Sequence, residues 1–357
     1  MNLGGNHASS TFARAKALHH LTLAVALFTV GVVVAGPAHG QVCAQEFRVP
    51  GTAPAPAGIT TGSDGNIWFT EAGDNQIGRI TLWGDIREFD LKAADGSTPH
   101  GTSPVGITRG PDGALWFTIE FWVDQFGVSS GRIGRITTSG QITSYPIEPG
   151  QRGQPHGIVT GPDGALWFTF FNRAALGRIT TAGVVTVHPV PIAEPVEAHS
   201  ITVSPDGALW FTEFQRDRVV RYVPGRPPSI TEIPLTAGAD PHGIITGPDG
   251  VMWFAEQGRH RLGRISLSGQ LLEEDIWTGR NSGPHELAVD QYGQVWFTEI
   301  EVNRVSRIDP VTRIITRYCV PTPNSRPGYI VEGPDGAMWF HERAGHNIGR
   351  VLPDTTH

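Results

Sequence analysis

This 357-residue sequence predicts an all-β fold, a seven-bladed β-propeller of four-stranded blades, on three observations. A Trp-Phe pair recurs seven times, at Trp68, Trp116, Trp167, Trp210, Trp253, Trp296 and Trp339. Its spacings are 48, 51, 43, 43, 43 and 43 residues, close to the length of one propeller repeat. The last unit ends at Leu352 without an outer strand, whereas Glu46-Phe47-Arg48-Val49-Pro50 has the outer-strand pattern and no unit before it. Pairing the two closes the ring and removes a free sheet edge.

Each unit follows one grammar. A short inner strand such as Pro241-His242-Gly243-Ile244 leads into a Gly-Pro-Asp-Gly turn, where proline presets φ and the last glycine tolerates positive φ. A Trp-Phe strand follows, then a third strand such as Leu262-Gly263-Arg264-Ile265, a Ser-Gly or Thr-Gly turn, and an outer strand. Alternation puts Trp and Thr of Trp-Phe-Thr-Glu on one face and Phe and Glu on the other, so the pair packs against both neighbouring blades. An arginine lies eleven residues after most of the tryptophans (Arg79, Arg178, Arg221, Arg264, Arg307, Arg350) and nineteen after Trp116, at Arg135. Its expected role is structural, with the stem packed along the blades.

Residues 1–40 read as an export signal: Arg14 and Lys16, an apolar run from Leu21 to Val34, and Ala38-His39-Gly40 before Gln41. Residues 41–357 then form one propeller domain, periplasmic or secreted, with no later segment apolar enough to span a membrane. The mature chain keeps 25 basic and 34 acidic residues, which argues against nucleic acid as a partner. A monomer binding a small-molecule or peptide ligand is expected. Cys43 and Cys319 fall on outer strands of neighbouring blades and at opposite ends, so no disulfide is expected between them.

Strand order places the starts of inner strands and the ends of Trp-Phe strands on one face, where loop length also varies, between Glu120 and Arg132 and from Lys92 to Ser103. Variable loops on a regular scaffold are the usual place for binding. His156, His199, His242 and His285 stand 43 residues apart, each at the start of an inner strand, and should form an arc at the mouth of the central channel. Glu197 and Asp240 precede two of them, and Glu213, Glu256 and Glu299 end second strands. Imidazoles near carboxylates can hold a divalent metal or a general base. The alternative is a repeat consensus in which each histidine caps backbone in the channel. His341 replaces threonine in the seventh Trp-Phe strand and reads as a tolerated substitution. No nucleophile elbow, phosphate-binding loop or paired-cysteine metal motif is present.

Taken together, Pro155-His156-Gly157-Ile158, the stretch SPDGALWFTE at 204–213, Ile77-Gly78-Arg79-Ile80-Thr81 and Tyr145-Pro146-Ile147 resemble the virginiamycin B lyase (streptogramin lyase) family over roughly residues 46–352. The resemblance implies a Mg²⁺-assisted lyase that linearises cyclic streptogramin B depsipeptides by β-elimination at an ester. It also implies a Pro-His in the sixth repeat, a Glu-Pro-His in the seventh and a Glu after the seventh Trp-Phe. Here these fall on Pro284-His285, on Arg326-Pro327-Gly328, which carries neither acid nor imidazole, and near Glu342. The same constellation recurs two blades away as His199, Asp240-Pro241-His242 and Glu256. The expected assignment is therefore His242 as base and His199 as an orienting donor. His156 and His285 are expected to contact substrate, and Asp240, Glu256, Glu197 and Glu213 to act as metal ligands. Two rival readings remain: a non-catalytic propeller that binds a peptide, glycan or cell-wall fragment, and a hydrolase that uses metal-bound water.

Overall fold

The computed structural model describes residues 42–91, 102–123, 129–147, 153–194 and 196–353. The expected export signal lies outside them, as do most of the Lys92–Ser103 link and residues 124–128 of the second-blade insertion. The described residues form seven four-stranded antiparallel sheets, each ordered inner, second, third, outer. Blade five is representative: Pro241–Thr246, Met252–Glu256, Arg261–Ile265 and Leu271–Trp277. The one helical turn among the described residues is Phe214–Arg216. In blade two the insertion lengthens the second and third strands to Leu115–Val123 and Ser129–Ile136.

The recurring Trp-Phe pair does pack both faces of each blade. Trp68 joins Leu115 and Phe117 of blade two, while Phe69 joins Trp339 and Ala337 of blade seven. None of the seven tryptophans is more than 2% exposed. Each indole N–H needs a partner at that burial. In five blades it donates to the turn aspartate, as Trp68 does to Asp64 and Trp167 to Asp163 at 3.0 Å. The repeat arginine is the cross-strand partner of the same tryptophan, for example Arg178 opposite Trp167. Its guanidinium lies 5.1–6.0 Å from the indole centroid in all seven blades. It also pairs with the turn aspartate, as in Arg178–Asp163 at 2.6 Å and Arg350–Asp335 at 2.7 Å. Turn, tryptophan and arginine thus form one clamp in five blades, on the face opposite the variable loops.

The ring closes as expected. Gln45–Arg48 is the outer strand of blade seven, with Glu46 opposite Gly349 and Phe47 opposite Ile348. The expectation for the cysteines is overturned: Cys43 and Cys319 form a disulfide, their Cα atoms 4.4 Å apart. Ala44 N donates to Cys319 O at 2.8 Å and Cys319 N to Val42 O at 3.1 Å. Placing them at opposite ends treats the blades as flat. Successive strands rotate by about 20–25°, so an outer strand lies aslant and its beginning leans on the end of the preceding blade's outer strand.

The threonine of the Trp-Phe-Thr strand bolts neighbouring blades together in the first four blades and, in doing so, positions the channel mouth. Thr118 Oγ1 accepts from Gly106 N at 2.9 Å and donates to His156 O at 2.6 Å in the next blade. Thr169 links Gly157 N to His199 O, and Thr212 links Ser200 N to His242 O. Close approach favours glycine beside the bolt, since a Cβ on Gly157 would lie 2.5 Å from His199 O, and blade four has the small Ser200 there. In blade five Ala255 stands where the hydroxyl would be, and it is fully buried. Ala255→Thr is expected to stabilise by about 1 kcal/mol, and Thr212→Val to destabilise by about 1–3 kcal/mol, by leaving buried backbone groups unpaired. Chemical denaturation of the two variants beside the wild type checks both signs.

Candidate functional site

The four histidines of the repeat meet at the channel mouth as one continuous arc. Ring centroids are 4.4 Å apart for His156–His199, 4.5 Å for His199–His242 and 4.4 Å for His242–His285. Two phenylalanines from the loops after second strands wedge behind them, Phe171 against His156 and His199 and Phe214 against His242 at 4.9 Å. His156 and His242 are 8% and 7% exposed. The Nδ1 atom of all four is buried without a hydrogen-bond partner. These histidines therefore do not cap backbone through Nδ1; the carbonyls of His156, His199 and His242 are instead capped by the threonine bolts.

Burial, and secondarily the mutual repulsion of neighbouring imidazoles, pushes His156 and His242 well below the usual histidine range. Burial lowers His199 to about 4. Burial, then His199, Arg326 and Arg343, lowers His285 to about 3. All four are uncharged at neutral pH, each with one N–H and one lone pair.

The carboxylates sit differently from the expectation of a ligand shell. Glu213 is fully buried at the end of its strand and accepts from Arg218, which also pairs with Glu232. Glu197 accepts from Gln215 at 2.6 Å. Asp240 has positive φ and directs Oδ2 at the space above Gly258. Glu256 is fully buried, 3.8 Å from the Arg259 guanidinium. Among the described residues no three His, Cys, Asp or Glu side chains converge in an arrangement that could hold a metal ion.

The structure adds a second sector that the motif reading missed. Glu286 takes the inner-strand position occupied by Gly58, Gly106, Gly157 and Gly243 in other blades, and it is only 4% exposed. Tyr329 takes the same position in blade seven. Glu286 Oε1 and the Tyr329 hydroxyl are buried without hydrogen-bond partners, and both ring nitrogens of His341 are buried beside the Ala57 backbone. Burial raises the Glu286 carboxyl to about 8, and burial next to Glu286 and Glu120 raises Tyr329 well above its usual value. His341, held at about 3 by burial, His285 and Arg343, is not a neutral replacement for threonine. A Cβ on Gly328 would lie 2.3 Å from His341 Cε1, so an imidazole from the second strand fills the place that the first strand leaves empty. Glu120, on the lengthened strand of blade two, is raised by burial to about 7 against the pull of Arg343. The legible signals were Pro-His-Glu in place of Pro-His-Gly and Trp-Phe-His in place of Trp-Phe-Thr.

The virginiamycin B lyase family model matches residues 46–291 and 193–357. Virginiamycin B lyase of Nocardia farcinica is 31% identical over 114 residues, which is 32% of this chain and 33% of that protein. The enzyme of Bacillus licheniformis is 46% identical over 46 residues, 13% of this chain and 16% of that one. The chain thus spans a third or less of the length of these curated relatives. Solved structures align more fully. A streptogramin B lyase has 31% identity and a TM-score of 0.75, covering 87% of this chain and 97% of its own. Virginiamycin B lyase of Staphylococcus aureus has 32% identity and a TM-score of 0.75, covering 87% and 99%. A catalytically inactive histidine-to-alanine variant of that enzyme, solved with quinupristin, is similar at 31% identity.

Proposed function

This chain belongs to the virginiamycin B lyase family, and we propose that its channel mouth opens cyclic depsipeptides of the streptogramin B type by β-elimination. The observation that carries this reading is the arc of four contiguous, uncharged imidazoles whose Nδ1 atoms are buried and unpaired. Unsatisfied buried polar atoms cost about 1–3 kcal/mol each, so a cluster of them calls for a ligand that completes it.

His242 lies at the centre of this chemistry, between His199, His285 and Phe214. Its lone pair takes the proton from the Cα next to the ester-bearing Cβ. The C–H electrons form the Cα–Cβ double bond, and the Cβ–O bond breaks with its pair leaving on the carboxylate. No water is added, and the proton passes from the imidazole to solvent. His199 orients a ligand carbonyl through its N–H, while His156 and His285 extend the contact surface on either side. A magnesium ion, implied by the resemblance, would supply Lewis acidity at a carbonyl. The described residues do not fit it as placed, because Glu213 and Glu197 are committed to other partners and no three-donor cluster forms. No step is therefore routed through it.

The pH–rate profile tests the base. A neutral imidazole is competent only above its pKa, so an ordinary histidine would lose half its activity near pH 6.5. With His242 held well below that value by burial, the midpoint of the fall in rate on the acid side is expected well below pH 6.5. A titration centred near 6.5 would overturn the assignment. Tight binding of the depsipeptide without turnover would instead support the binding-module reading.

A further inference from the structure

Every inner strand faces its neighbour through the residue after the mouth position, and in four blades that residue is glycine. A Cβ on Gly58, Gly106 or Gly157 would lie 2.2–2.5 Å from the next blade's carbonyl oxygen, so these seams leave little room for a side chain, and blade four carries only the small Ser200 there. Blade six breaks the rule with Glu286, and the blade it faces breaks the rule too. There Gly328 carries no side chain at the mouth, and the His341 ring occupies the space instead. The substitution pair therefore admits a carboxyl into a seam position that holds only glycine or serine in the first five blades. Oε1 of that carboxyl is buried without a partner, as is the hydroxyl of Tyr329. An acid placed where burial opposes its ionisation is held protonated, and a protonated carboxyl is a hydrogen-bond donor.

We propose that Glu286 is a neutral hydrogen-bond donor which, with the Tyr329 phenol beside it, binds a carbonyl oxygen of an uncharged ester- or amide-bearing ligand at the seam of blades six and seven. This rests on the lyase reading and extends it. During elimination the carbonyl next to the deprotonated Cα gains negative charge, and a donor aimed at it strengthens as that charge develops. The Glu286 proton is shared in the hydrogen bond and not transferred, so the balance of the reaction is unchanged. The surrounding groups agree with an uncharged ligand. His242 and His285 on the arc side and His341 on the blade-seven side are neutral, and Tyr329 is protonated. Arg343 acts on the Glu120 carboxyl, and Arg326 and Arg343 both act on His285.

The test uses the mature protein, Glu286→Gln and Glu286→Ala, with a streptogramin B depsipeptide as the probe, in calorimetric titrations at pH 6.5 and 9.5. Glutamine keeps a neutral N–H donor at both pH values. The wild type should lose about tenfold in affinity at pH 9.5, where the carboxyl, raised to about 8, is ionised. Glu286→Gln should keep near wild-type affinity at both, and Glu286→Ala should be weak at both. Because Glu120, Glu342 and Glu71 also titrate in this range, the difference between wild type and Glu286→Gln is the quantity read. Thermal unfolding supplies a readout that needs no ligand. The folded pKa is raised, so the wild type's stability is full below pH 4.5 and is lost as pH rises through about 8, and the Tm of Glu286→Gln should gain on it across that interval. Glutamine behaving like alanine at pH 6.5 would overturn the proposal, because it would mean that the carboxylate is what acts. A Tm difference independent of pH would overturn it as well. Binding without turnover in every variant would overturn the lyase reading and leave this one standing, whereas no binding by the wild type would overturn both.

Discussion

His242→Ala should lower turnover of a streptogramin B depsipeptide by about 10²–10⁴-fold, the range associated with losing a general base, while the protein stays folded. The fold is expected to survive because the bolt at this position runs to the His242 backbone. Thr212 Oγ1 donates to His242 O, and truncating the side chain leaves that bond in place. The alanine also removes a buried Nδ1 that had no partner. His156→Ala and His285→Ala lie one blade away on either side of the central pair and should act mainly through KM, because they remove contact surface and not the proton acceptor. His199→Ala should lower kcat by less than His242→Ala. Equal losses from all four substitutions would mean that the arc binds as a unit and holds no single base.

Thermal stability should peak in mildly acidic solution, not near neutrality. Two sets of buried groups oppose each other. His199, His285 and His341 fall to about 4, 3 and 3 in the folded protein, and His156 and His242 are lowered as well. Unfolded histidines take up protons below about 6.5, so the stability of these groups is present above that pH and is lost as pH falls. Glu71, Glu342 and Glu286 rise to about 9, 8 and 8, and Glu120 to about 7, in each case chiefly through burial. Their contribution is present below about pH 4.5 and is lost as pH rises through those values. Between about pH 4.5 and 6.5 the two slopes nearly cancel. Above that window the carboxyls ionise at a cost, and below it the histidines dominate. A tenfold change in proton affinity is worth about 1.4 kcal/mol, so the fall on each side amounts to several kcal/mol even after discounting for solvent at the mouth. Calorimetric Tm values from pH 4 to 9 should therefore trace a dome centred near pH 5.5. A maximum at pH 8 would show that the buried carboxyls are solvated or paired.

The fold was legible because it is written seven times. One Trp-Phe strand is ambiguous, but seven at nearly constant spacing admit only a radial repeat, and the unpaired strand at Glu46–Pro50 specified how the ring closes. The histidine arc was legible for the same reason, since residues 43 apart must occupy equivalent places in consecutive blades. What repetition hides is the departure from it. Glu286, Tyr329 and His341 each replace a small residue at a position where the other blades hold glycine or serine, or threonine or alanine, and their meaning depends on the next blade, which spacing does not encode. The partners of the carboxylates were not legible either: Glu213 and Glu256 repeat as faithfully as the histidines, yet Glu213 meets Arg218 on the next strand of its own blade and Glu256 lies near Arg259. The disulfide escaped because strand twist, which brings Cys43 to Cys319, has no signature in the local pattern.

The most direct test of the lyase reading is the mass of the product. Mature protein is incubated with a streptogramin B depsipeptide, once with Mg²⁺ and once with EDTA, and the mixture is resolved by liquid chromatography and mass spectrometry. Elimination at the channel mouth predicts a linear product with the same mass as the cyclic substrate, absent with His242→Ala. A product heavier by one water would contradict the account by showing hydrolysis, and an unchanged substrate would contradict it by showing no opening at all.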